Sequence, residues 1–466
     1  MAIIGAKKAR AAVKVKSTAL NLERRSAKSA SFFPFGEQLL SAAWILHVCR
    51  NSGHTWRRRQ WTPVVTFWAC ILKQLHSGAG ARFLEHLAYF KSFCTGEGAR
   101  DGADFCRARF RLPSELFRAA LLKLDRCFPP GAARCFNGLR VVFVDGLVLR
   151  TPRTRANQQA FSTGQNERGP SQWPLVRALL LVCAGSGTIL DVIVDGYQNS
   201  ERKFFRQMLQ RLEPGLLLVG DRGFCSCIAL WFIRKRGGHM LCRLHQSRRR
   251  QTWQAIGPRD FISRWPKKEL RYTRSREWRE LTDQVEHDLW IRIIERTVFR
   301  KGYRAVKIAL VTTLLDPKKY PADDLVKLYF ERWNIECDFR TLKADYGIKQ
   351  LSAKTPTAVR NELLSAAVAI TIVCLEKANA GDGQARRLSS RTTLKLILTV
   401  AEMATYASVP RARELRQKLL KELRLTAQPL QQRPPEPRAV VQHHRRYPSL
   451  STSRPQWRDD YLRELA

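Results

Sequence analysis

Between residues 139 and 244 the apolar positions come in short runs, each closed by Gly, Asp or Pro: 139–144, 147–149, 175–182, 188–194, 216–219 and 240–244. Runs of this length bounded by turn formers predict buried strands, and the helical stretches between them point to an α/β or mixed sheet. From about 36 to 135 the apolar spacing is helical instead, as in the stretch opened by Ser114, whose hydroxyl is placed to cap a helix. Residues 245–321 turn to alternating apolar and polar positions, clearest at 290–298 and 305–314, which predicts a β-rich insertion. A helix is then predicted from Pro321, with Asp323 and Asp324 in its first turn, to near Gly347. Further helices are expected at 356–378 and 392–425.

These patterns divide the chain into six parts. They are a basic flexible arm (1–34), a helical region (35–135), a mixed α/β sheet domain (136–244 and 322–380), the β-rich insertion (245–321), C-terminal helices (381–425) and a Pro/Arg-rich tail expected to be extended or disordered (426–466).

Charge narrows the choice of partner. The 466 residues carry 82 Lys plus Arg against 40 Asp plus Glu, a net charge of +42 that a compact chain tolerates best beside a polyanion. Nucleic acid leads. The run Trp56-Arg57-Arg58-Arg59-Gln60-Trp61 is either a solvated face or part of a DNA contact. No unbroken apolar run reaches the 18 or so residues of a spanning helix, the longest candidate being 363–375, and Lys and Arg interrupt the first thirty residues, so a cytoplasmic protein is expected. Cys49, Cys70, Cys183 and Cys374 sit among apolar neighbours and no C-x-x-C pair occurs. Cys225 and Cys227 are therefore read as buried thiols rather than metal ligands.

Three carboxylates stand out. Asp145 follows the apolar run 139–144 and Asp221 follows 216–220. Each also fits a plain turn, and Asp145-Gly146 between two apolar runs, taken alone, fits a hairpin turn better. Carboxylates at the ends of neighbouring buried strands would converge, however, and their mutual repulsion is relieved by a cation. The third acid lies on the predicted 321–347 helix. Tyr329, Arg332, Glu336 and Lys343 are spaced so that, at about 100° per residue, they share an arc of roughly 60°. Intrahelical ion pairs are the plain account of such a stripe. Asp191, Asp195 and Glu201 rank below these three acids as candidates.

The spacing Tyr329-x2-Arg332-x3-Glu336-x6-Lys343, with Val144-Asp145-Gly146 and Gly220-Asp221-Arg222-Gly223-Phe224, resembles the Y-R-E-K signature and Asp motifs of bacterial DDE transposases of the insertion sequence four type. The resemblance covers roughly 139–375. It implies a ribonuclease-H-like mixed sheet with flanking helices, interrupted by the β-rich insertion, and an N-terminal helical DNA-binding region. It implies that Asp145, Asp221 and Glu336 are catalytic and hold two Mg²⁺ ions, with Mn²⁺ able to substitute. Tyr329, Arg332, Lys343, Arg222, Trp333, Arg57, Arg58 and Arg59 become candidate DNA contacts, and Trp290 or Tyr303 a stacking residue for a flipped base. The implied partners are double-stranded DNA, as terminal inverted repeats and target, and a second copy of the chain on paired ends. The implied activity is cut-and-paste joining of 3′-OH ends. Leu147 departs from the small hydroxyl residue often found there in the family. The rivals are a metal-dependent endonuclease that only hydrolyses, a transposon-derived DNA-binding protein without catalysis, and a basic structural or RNA-binding protein.

Overall fold

The computed structural model describes residues 39–56, 61–76, 103–166, 169–245, 253–271, 278–298, 305–332, 335–336, 338–339, 343, 346, 348, 350–381, 388–405, 409–427 and 450–463. The predicted arm, Arg57, Arg58, Arg59, Tyr303 and Trp333 lie outside them. The chain forms two compact units, one drawn from Met1–Cys135, Arg140–Met208 and Trp333–Ala427, the other from Phe136–Leu139, Leu209–Arg332 and Gln428–Ala466.

Among the described residues there are eleven strands: β1 (Cys135–Phe136), β2 (Leu139–Arg150), β3 (Thr163–Asn166), β4 (Gly169–Cys183), β5 (Ile189–Gly196), β6 (Leu216–Gly220), β7 (His239–Arg243), β8 (Trp253–Gly257), β9 (Asp260–Trp265), β10 (Leu289–Val298) and β11 (Val306–Thr312). With the helices they make a mixed α/β protein.

In the first unit β2, β3 and β5 all pair antiparallel with β4, β3 against its first residues and β5 against its second half. Val141, Phe143, Leu147 and Leu149 are buried on one face of β2, and Val142 and Val144 are buried on the other, so the first half of the strand is covered on both sides. The two runs predicted on either side of Asp145-Gly146 are one strand. Asp145 lies opposite Leu180 and Gly146 opposite Leu179 with no break in register. Neither residue has the positive φ of a tight hairpin turn. The turn falls earlier, at Asn137 (φ 48°) and Gly138 (φ 83°), between β1 and β2. Asn-Gly is the residue pair that such geometry favours.

The helix Pro356–Ala380 is the spine of this unit. It packs against the helices Pro63–Leu75 and Ser114–Asp125 and against β5. Its 25 residues and mean hydropathy of 1.6 would suffice to cross a membrane, but 89% of its apolar window is buried within the protein. The run 363–375 is thus the middle of a longer helix. Lys73 reaches Glu362 at 2.6 Å, and Ser114 Oγ donates to Asn361 Oδ1 at 2.7 Å. Ser114 therefore does not cap its helix. It is the first helical residue, Pro113 holds the cap position without a side-chain bond, and the hydroxyl serves the contact with Asn361 instead.

In the second unit β6 and β7 are parallel. The sheet continues antiparallel through β11, β10, β9 and β8. Arg292 on β10 is 1% exposed, donates twice to Asp260 and once to the Tyr320 carbonyl, and so arrives in the core already neutralised. Helix Ala322–Glu331 begins after Pro321 with Asp323 and Asp324 in its first turn, as predicted. Beyond it, described residues 335, 336, 338, 339 and 343 are helical. A helix at Arg454–Arg463 stands where an extended tail was predicted. Asp460 and Arg463 pair across one of its turns at 3.7 Å.

Candidate active site

Asp145 sits inside β2, half-buried, and its Oδ1 accepts the Gly146 amide at 2.8 Å. Strand alternation sends Asp145 to the face of Phe143 and Leu147, and Gly146 to the other face. A Cβ at Gly146 would stand 2.5 Å from the Glu201 carboxylate, which lies 3.9 Å from Arg177. The two other competing acids are committed elsewhere: Asp191 pairs with Arg118 at 3.1 Å, and Asp195 pairs with Arg360 at 2.9 Å and accepts from Asn199 at 3.0 Å. Glu336 and Lys343 belong to the same unit as Asp145, and both are helical and half-buried.

Asp221 belongs to the second unit. It follows β6 and precedes a single 3₁₀ turn, Arg222–Phe224, whose first bond runs from the Phe224 amide to the Asp221 backbone carbonyl at 3.1 Å. The side chain makes no capping bond, so this turn does not consume the carboxylate. Asp221 is half-buried and Arg222 exposed.

Tyr329 comes from helix Ala322–Glu331 and is only 8% exposed, with Phe330 edge-on 5.9 Å away. Burial pushes its phenol pKa up and the negative charge of Asp221 adds to that, while Arg332 and Arg243 work the other way. This unit therefore brings Asp221, Tyr329, Arg332 and Arg243 into one electrostatic neighbourhood. Arg332 continues helical backbone geometry at the end of its helix.

Arg243 was missed at the level of sequence. The apolar run 240–244 was read as strand core, yet a charged residue in such a run marks a place where the strand meets something polar. Cys225, Cys227 and Cys242 are buried and form no disulfide, as expected of core thiols. Burial pushes the Cys242 thiol well above its ordinary range, and neighbouring Cys225 reinforces the shift.

Neither unit contains all three candidate carboxylates. Among the described residues, no group of three or more His, Cys, Asp or Glu side chains stands as a metal-holding cluster.

The profile of the family described as "Transposase DDE domain" matches residues 137–372, just over half of the chain and inclusive of Asp145, Asp221 and Glu336. The chain is 25% identical over 275 residues to the transposase InsG for insertion sequence element IS4 of Escherichia coli strain K12. That alignment covers 57% of this chain and 59% of the relative's length. Among solved structures it is similar to the piggyBac transposase in a synaptic complex with hairpin DNA, with a TM-score of 0.39 and 11% identity over 83% of this chain and 84% of the other. By the extent of the family match, the chain belongs to the transposase DDE-domain family.

Proposed function

We propose that the protein is a DNA transposase of the insertion-sequence type, which cuts at the terminal inverted repeats of its element and joins the 3′-OH ends to target DNA. The observation that carries this reading is the family match across 137–372, within which an acid stands at each of the three motif positions, Asp145, Asp221 and Glu336.

The three carboxylates are the catalytic groups, and the mixed α/β fold is read as ribonuclease-H-like. They would hold two divalent ions, Mg²⁺ or Mn²⁺, whose chemistry is to activate a water or 3′-hydroxyl and to stabilise the leaving oxygen. Arg332 offers a planar fork suited to two phosphate oxygens, Lys343 and Arg222 offer further positive charge, and Tyr329 is read with them as a DNA contact. Trp290 on β10 is 49% exposed and lies opposite Arg264 of β9, which suits a ring that stacks on an unpaired base. The net charge of +42 supplies the general affinity for DNA. Two copies on paired ends complete the reading.

The test is a strand-transfer assay with duplexes carrying both element ends, a target plasmid and Mg²⁺. Joined products that vanish with a chelator are expected. Nicking without joining would favour an endonuclease, and binding without nicking a DNA-binding descendant of a transposase.

A further inference from the structure

At the carboxyl ends of the parallel strands β6 and β7, Gly220 lies beside Cys242. The next residue on each strand is charged: Asp221 on one and Arg243 on the other. Neighbouring strands run about 4.8 Å apart, so these two side chains leave the sheet from adjacent positions. Arg243 is half-buried, and on its other side it pairs in register with Leu310 of β11.

The side chain of Arg243 makes no hydrogen bond or ion pair with any described residue. Asp221, one strand away, uses no side-chain bond to cap its own turn. Opposite charges on adjacent strand ends that do not neutralise one another are available to ligands of opposite sign, a cation for the carboxylate and an anion for the guanidinium. A metal-bound phosphodiester presents both signs within one group. Arg332 acts on the same Tyr329 phenol from the helix side, so two guanidinium groups share that neighbourhood with a single carboxylate from the strands.

We infer that Arg243 is a phosphate-binding residue of the site, gripping a phosphodiester oxygen of the DNA beside Asp221. The inference rests on the transposase reading for the identity of the anion. It adds a strand-borne arginine to those on the helix. A strand end is a rigid mount, so Arg243 would hold the phosphate in register with Asp221 while the helix supplies the remaining cations.

The test uses the full chain and a fluorescent duplex of 30 base pairs, in chelator, with affinity followed against salt. Arg243→Gln and Arg243→Met both keep an extended side chain at the sheet edge, and either one that melts with the wild type carries the test. The expected result is binding weakened about tenfold at low salt, and a slope of log K against log salt reduced by about one, the signature of one lost phosphate contact. Arg243→Lys should keep the slope and, through loss of the fork, slow single-turnover cleavage at saturating DNA by tenfold or more. A slope and affinity equal to the wild type in the Gln or Met variant would overturn the assignment. So would wild-type cleavage by the Lys variant, should neither of the others fold. Binding is read without catalysis, so a chain that cleaves nothing but loses one unit of slope would refute the transposase reading and keep the phosphate site.

Discussion

Glu362 and Glu376 lie in the same buried helix, yet their surroundings drive them in opposite directions. Burial works to raise the Glu362 carboxyl, but Lys73 at 2.6 Å and Ser352 outweigh it and hold the group below its ordinary range. A depressed folded pKa contributes stability that is present above the unfolded value, about 4.3, and is lost as pH falls through the folded one. Glu376 is raised by burial, and Arg416 at 3.3 Å only partly opposes that. Its charged form therefore works against folding at neutral pH, and stability is regained as pH falls through its raised value. Glu362→Gln should cost about 2–3 kcal/mol at pH 7, somewhat below the roughly 3–5 of a fully buried pair because Lys73 is 19% exposed. Glu376→Gln should be neutral or stabilising by up to about 1 kcal/mol. Denaturant unfolding at pH 7 and pH 5 checks both, and equal losses from the two variants would contradict this account.

At the scale of elements, β9 and β10 are joined by one neutralised buried charge. Arg292 of β10 is held by Asp260 of β9 at 2.5 and 2.8 Å. Asp260→Asn should cost about 3–5 kcal/mol, because it removes the counter-charge and one acceptor oxygen and leaves a buried guanidinium with only neutral carbonyl partners. Replacing both partners together with Met and Leu should cost far less. Hydrogen exchange localised to β9 and β10 distinguishes this outcome from a loss spread over the whole chain.

The same elements show what could be read in the chain. β6, β10 and the helix Pro356–Ala380 announce themselves by apolar runs of the right period. β8 and β9 do not, since Trp-Gln-Ala-Ile-Gly and Asp-Phe-Ile-Ser-Arg-Trp are short and mix polar with apolar residues. β2 was read as two runs because Asp-Gly is also a turn signal, and only its pairing with β4 decides. The motif acids stood out because carboxylates interrupt apolar runs, whereas Arg243 became visible only through the register of β6 with β7. The N-terminal helices were expected to form a region of their own, but contacts such as Lys73–Glu362 place them in the unit of the long helix. No local pattern encodes a contact between residues 289 positions apart.

For the whole molecule, a net charge of +42 predicts binding dominated by released counterions. If 6–10 phosphates are contacted, affinity for duplex DNA should fall by about 10³–10⁵ between roughly 50 and 200 mM salt, and a flat response would rule out a backbone-led interface. The central claim is that Asp145, Asp221 and Glu336 serve one reaction, although they come from two compact units. The most direct measurement is single-turnover, Mg²⁺-dependent cleavage of element-end DNA by Asp145→Asn, Asp221→Asn, Glu336→Gln and their pairwise combinations. Residues that act as one unit are non-additive. Each single variant should lose at least about 10³-fold while binding DNA as the wild type does, and no pair should be much worse than its worse member. Cleavage within about tenfold of wild type by any single variant, or losses that multiply in the pairs, would contradict the claim.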